Sequence, residues 1–294
     1  MGMSLLCTGN IGECSAYLDR AIELYDPAAH RALATRFAQD VRVAILSYRS
    51  FALWMIGYPK AALADAENAL KDAREIGHAA TLMYALFHGP LTHILCGNYL
   101  TATAEADEAV ALADAKGALV FKALGMLTKG YSLVPTGKAA DAIQVIAAGI
   151  TALQTTGAAL WAPLSLSYLA TAHAELGQFN EASRCIGEAM TAMETSKEKW
   201  WEAEVNRVAG EIALLQADAA KAESYFERAL AVARQQQAKS WELRASMSLA
   251  RLWRDQGKVQ QARDLLAPVY GWFTEGFDTR DLKEAKALLE QLAP

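Results

Sequence analysis

Proline is scarce, seven in 294 residues. Long stretches therefore hold nothing that would end a helix, since proline removes a backbone donor and clashes with the preceding turn. Positive charge is not in excess either. Lys and Arg number 28 against 33 Asp and Glu, a formal charge of −5, which excludes the broad cationic face that phosphate neutralisation demands. Cysteine is limited to Cys7, Cys14, Cys96 and Cys185, with no CxxC pair, so a disulfide framework is excluded and buried thiols in a reducing compartment are expected. No stretch of about eighteen apolar residues is present. The opening MetGlyMetSerLeuLeuCys lacks a basic n-region and a full apolar h-region, and Leu6 stands where a myristoylation signal has Ser or Thr. Location in the cytoplasm is the expectation.

What the chain has instead is alanine, the best helix former, and a repeat. Gly57…Ala62…Ala69 returns as Gly97…Ala102…Ala109, Gly137…Ala142…Gly149, Gly177…Ala182…Ala189, Ala217…Ala222…Ala229 and Gly257…Ala262…Val269, at a constant spacing of forty residues. Small residues at a fixed interval imply backbones that approach closely at the same place in each unit, which is what a stacked repeat needs. Apolar residues at helical spacing lie before and after each of these markers, so a unit is a helix, a tight turn and a second helix. Seven residues before the markers stand Ser50, Pro90, Gly130, Ala170, Gly210 and Ala250, a second small set facing the first.

A small pair twelve apart, with another small residue seven later, resembles the tetratricopeptide repeat, whose unit is about 34 residues. The proline that usually closes that unit is replaced by Arg74, Asp114, Gln154, Glu194 and Arg234. Residues 222 to 253 and 272 to 282 are similar to the C-terminal repeat region of bacterial multidomain signalling ATPases of the adenylate-cyclase-like or maltose-regulator type. The resemblance implies an all-α, right-handed superhelical solenoid of about seven helix-turn-helix repeats, one domain over residues 1 to 294. The first repeat is short of about half of its first helix, as in a fragment of a longer protein, and a capping helix is expected over about 279 to 292. Pro268 should interrupt the last repeat, Asp278 with Asp281 should start the closing helix as a capping box, and residues 26 to 30 should form a longer loop.

Residues able to do chemistry are not grouped for it. Gly137 and Lys138 lack the earlier glycine and the following Ser or Thr of a phosphate-cradling loop. His88 and His93, five apart with Gly89 and Pro90 between, do not share a helix face as a zinc pair would, and a kink is expected there. Glu175, Glu181, Glu204 and Glu211 read as solvated faces without a nucleophile and base. Catalytic residues, metal and cofactor are all assigned as none. Trp161, Trp201 and Trp241, in phase with Phe121, fit wedges of the stack better than a ligand ladder.

In tetratricopeptide proteins the inner stripe of the first helices lines a groove. By that resemblance the apolar end of a groove falls on Phe51, Trp54, Tyr84, Phe87, Leu91 and Tyr131, and its ionic end on Glu204, Arg207, Glu211, Arg244, Arg251 and Arg254. Such an apolar patch is larger than soluble monomers leave exposed, so either a partner covers it or the lengthened units turn it inward. The implied function is a non-catalytic scaffold or sensor in a bacterial signalling or regulatory protein. It would bind a protein or peptide segment, another domain of the same longer protein included, with acidic partners selected by the arginines and with neither nucleic acid nor membrane as partner. Self-association into a homo-oligomer and small-molecule sensing are the alternatives.

Overall fold

A computed structural model of the chain describes residues 1–158 and 160–293, which are helix and turn with no strand among them. Two short helices, α1 (Gly2–Cys7) and α2 (Ile11–Glu23), are followed by α3 (Pro27–His30) and α4 (Ala34–Phe37). Six long hairpins come next: α5 (Val41–Met55) with α6 (Pro59–Ile76), α7 (Ala79–Cys96) with α8 (Tyr99–Lys116), and α9 (Leu119–Leu133) with α10 (Ala139–Thr155). Then follow α11 (Ala162–Glu175) with α12 (Phe179–Ser196), α13 (Glu202–Leu215) with α14 (Ala219–Gln235), and α15 (Lys239–Asp255) with α16 (Val259–Tyr270). A single helix, α17 (Arg280–Gln291), follows the last hairpin. This is an all-α helical-repeat solenoid fold. No described helix is long and apolar enough to cross a membrane.

The chain forms two compact units. One holds Met1–Leu6, Gly12–Trp54 and Lys60–Leu160; the other holds Cys7–Ile11, Met55–Pro59 and the chain from Trp161 on. The first unit has a core centred on Val43, Leu46, Leu70, Leu86 and Ala109. In the second, Phe226, Leu243, Trp253, Leu266, Leu282 and Leu292 share one core, and the Lys199 N–H donates to the Cys7 carbonyl at 2.6 Å.

The small positions lie where the helices of a hairpin touch. Ala62, Ala102, Ala142, Ala182, Ala222 and Ala262 are all 0 % exposed. Opposite them, a Cβ added to Gly130 would stand 2.5 Å from Ile146 Cγ1. Since these contacts leave no room for a branched side chain, Ala182→Leu should destabilise the protein by about 1 to 3 kcal/mol through overpacking. Thermal unfolding checks this, and an unchanged Tm would place Ala182 outside the helix contact.

The turns reveal a shorter period than the sequence reading found. Gly57, Gly77, Gly97, Gly117, Gly137, Gly157, Gly177, Lys197, Ala217, Gln237 and Gly257 all have positive φ, one left-handed residue every twenty positions. At several of them the next N–H reaches back across the turn, Asn98 to His93, Ala118 to Ala113 and Lys258 to Trp253 at 2.8 Å, the six-to-one bond of a Schellman turn. Most of these positions are glycine because a Cβ in the left-handed region costs about 1 kcal/mol or more. Ala217 carries that strain at φ 61°. Ala217→Gly should therefore raise stability by about 0.5 kcal/mol, the relief exceeding the added freedom of the unfolded chain; a lower Tm would contradict it.

Three local expectations change. Residues 27–37 are helical turns, started where Asp26 accepts from the Ala28 N–H at 2.9 Å, because proline at the first helical position already has helical φ. Pro268 lies inside α16, which continues to Tyr270. The closing helix has Thr279 as N-cap without a side-chain cap bond, since Thr279 Oγ1 donates to the Gly276 carbonyl and Asp281 is taken by Arg244.

Candidate functional site

The expected apolar end of the groove is interior. Phe51, Trp54, Phe87, Leu91 and Tyr131 are buried, 5 % exposed at most, and Tyr84 is half-buried. Their helices explain why. From Ala79 to Cys96 there is no Asp, Glu, Lys or Arg, and a helix that is apolar all round belongs inside. His88 sits among three of these rings and Tyr48, with centroids 4.3 Å from Tyr84, 4.6 Å from Phe87, 5.1 Å from Tyr48 and 5.5 Å from Phe51. Its Nδ1 lies 2.8 Å from the Tyr84 carbonyl, so that nitrogen carries the proton and donates. Burial pushes its pKa down to about 4, which keeps the imidazole neutral at physiological pH.

Five residues on, His93 Nε2 is 3.6 Å from Glu105 Oε1. Burial raises the Glu105 carboxyl to about 7, against the opposing charge of Arg74, and lowers His93. A Cβ on Gly89 would come within 3.2 Å of Glu105 Oε2, so glycine there makes room for the carboxyl. This pair and His88 are internal to the first unit, and among the described residues no three His, Cys, Asp or Glu side chains are grouped to hold a metal ion.

The expected ionic end lies in the second unit, and its residues do meet. Arg207 forks onto Glu204 with two bonds of 2.8 Å and reaches Glu211 at 3.0 Å, which also accepts from Ser248 at 2.7 Å. Arg244 stacks on the Trp241 ring, lies 3.6 Å from Glu204 and donates to Asp281 at 2.7 Å. Arg251 donates to Glu284 at 3.0 Å, and Arg254 to Asp255 and Gln291. Burial works against the Glu204 charge, but Arg207 and Arg244 outweigh it and hold the carboxyl below its ordinary value. Glu204 is thus a buried ion-pair member and not the solvated acid expected from the sequence. Glu211 to Ser248, Arg244 to Asp281 and Arg254 to Gln291 all span 37 residues. That is one repeat less about one helical turn, the offset at which neighbouring first helices touch. The arginines are engaged by the chain's own acids.

The tryptophans are wedges. Trp161, Trp201 and Trp241 are buried; Trp201 and Trp241 are edge-to-face at 4.7 Å, Trp201 donates to Ser167 at 2.8 Å and Trp241 to the Trp200 carbonyl at 3.2 Å. The spacing did not single out Trp200 or Glu198, because neither repeats. Glu198 binds the Trp200 indole N–H at 2.8 Å and the Trp161 backbone N–H at 3.2 Å.

Open surface with apolar content lies elsewhere in the second unit, between α12 and α14 and floored by α13. Two adjoining hollows of about 350 and 200 Å³ share Met190. Met193, Lys197, Lys199, Asn206 and Arg228 line the larger; Ile186, Gly187, Ile212, Lys221 and Tyr225 line the smaller. Arg228 pairs with Glu202 at 3.2 Å. The first unit has an apolar hollow of about 480 Å³ bounded by Leu18, Phe37, Val41, Ile45 and Tyr48.

No family model matches the sequence, and no curated protein matches it. Solved structures do. Apo RapI is 14% identical with a TM-score of 0.59, over 90% of this chain and 91% of that one. A Rap protein complexed with competence and sporulation factor is 11% identical with a TM-score of 0.61, over 96% and 78%. A tetratricopeptide repeat protein from Parabacteroides merdae is 13% identical with a TM-score of 0.50, over 99% and 95%. At these identities the likeness is one of fold, and the fold is that of tetratricopeptide-like repeat proteins.

Proposed function

We propose that this chain is a non-catalytic binding scaffold that takes a protein or peptide segment and serves a bacterial signalling or regulatory protein in the cytoplasm. One observation carries the reading: the groups best able to do chemistry, His88, Glu198, Glu204 and Arg207, are spent on internal bonds. What remains for function is surface, the outward faces of the second helices and the hollows between them. The fold likeness to a Rap protein complexed with competence and sporulation factor supports a binding role. The resemblance of residues 222 to 253 and 272 to 282 to the repeat region of signalling ATPases supports a role beside other domains.

Peptide-display selection against the purified full chain tests this. Enrichment of a family of related sequences is expected, with no turnover of nucleotides or esters. Turnover, or an unselective library together with a concentration-dependent homo-oligomer in sedimentation, would overturn it in favour of an enzyme or a self-assembling scaffold.

A further inference from the structure

Three independent features mark the cleft between α12 and α14. The first is charge. Lys197, Lys199 and Lys221 are exposed on its rim, and among the described residues none of them has a carboxylate partner. Arg228 pairs with Glu202, and Glu194 is the other acid on the rim. A chain of net charge −5 thus carries a locally cationic cleft. The second is apolar lining of an adaptable kind: Met190 and Met193 with Ile186, Ile212 and Tyr225, where thioether side chains reshape to fit what lies against them.

The third is Gly187. Ten residues after the marker, the other repeats have Glu67, Asp107, Ala147, Glu227 and Ala267, all better helix formers than glycine. Gly187 lies in the middle of α12, and a Cβ placed on it would meet nothing within 4 Å. Packing within the chain therefore does not call for glycine here. A backbone bared on the wall of an open cleft suits close approach by something from outside.

We infer that this cleft is the docking site of an acidic amphipathic helical segment, whose apolar face enters over the methionines, crosses α12 at Gly187 through a small residue, and whose carboxylates meet Lys197, Lys199 and Lys221. This rests on the reading of the chain as a peptide-binding scaffold and gives that reading a place and a ligand chemistry. Recognition is of the helix-in-groove kind, in which anchors give affinity and rim charges set partner and direction.

The test measures fluorescence anisotropy of a labelled amphipathic helix of Leu, Ala and Glu on the full chain, with a Leu, Ala and Lys helix as control. Gly187→Gln fills the crossing point without disturbing the fold, because its Cβ meets no neighbour; unchanged circular dichroism and Tm verify that. The acidic helix should bind, about tenfold or more weakly to Gly187→Gln, and the paired change Lys199→Glu with Lys221→Glu should turn preference toward the basic helix. Absence of acidic-helix binding overturns the inference, as does equal binding of both helices. Acidic-helix binding that ignores both variants overturns the site while leaving the peptide-binding scaffold standing. Lysine-dependent binding of anionic phosphatidylserine vesicles that is indifferent to Gly187→Gln would assign the lysines to a membrane and overturn it too.

Discussion

Lowering the pH from 7 to 4 should remove about 3 kcal/mol of stability from the first unit through His88 alone. The folded state lowers this histidine from 6.5 to about 4. Between those values the unfolded chain binds the proton that the folded chain refuses, so stability is complete above pH 6.5, falls as the pH drops toward 4, and is then constant. Burial among Tyr48, Phe51, Tyr84 and Phe87 is the cause, because the site offers rings and a carbonyl already used by Nδ1 but no carboxylate for a charged imidazole. Two measurements check this. The His88 Cε1 proton should keep its neutral NMR position down to about pH 5, and His88→Asn, which retains a donor for the Tyr84 carbonyl but has no charge to gain, should flatten the acid limb of the urea-unfolding curve. A histidine that titrates near 6.5 would refute the assignment.

Replacing Arg207 by Met should cost about 3 kcal/mol or more, the usual penalty for removing one partner of a buried pair. Glu204 would lose its two-bond fork and retain only Arg244 at 3.6 Å, while Glu211 would keep Ser248. The loss should then shrink at low pH, where Glu204 takes up a proton. Adding Glu204→Gln to Arg207→Met should recover much of it, since no orphaned charge is left. If the double variant were no more stable than the single one, lost packing of the arginine stem would be the larger effect, and the network would count for less than its geometry suggests.

The forty-residue beat made the fold legible, because close backbone approach can be met only by small residues and these do not drift along the chain. The direction in which the first helices face was harder to read. A stripe thirteen, ten, six and three residues before each marker assumes that a helix has an inside and an outside, and α7 has no charged residue with which to make an outside. That absence was present in the sequence and pointed inward. The charged stripe was half legible: Glu204, Arg207 and Glu211 stand at helical neighbour spacing, but Asp281 and Glu284 lie in the closing helix, and only the 37-residue stacking offset brings them to Arg244 and Arg251. Gly187 was concealed because a repeat is visible only in positions that recur, and this one departs from its phase.

The left-handed residue at every twentieth position also has a consequence for how such a gene can change. A deletion or duplication of forty residues, for instance from Gly97 to Gly137, joins a turn to its equivalent and returns each helix to its own kind of surroundings. Twenty residues would join the turns equally well, since Gly117 has the same backbone conformation. A duplication of that length would deliver a second α8, with Asp107, Glu108 and Asp114 exposed on its face, to the place of the largely buried first helix α9. Recombination between repeats is therefore tolerated at only one of the two spacings that the turns allow.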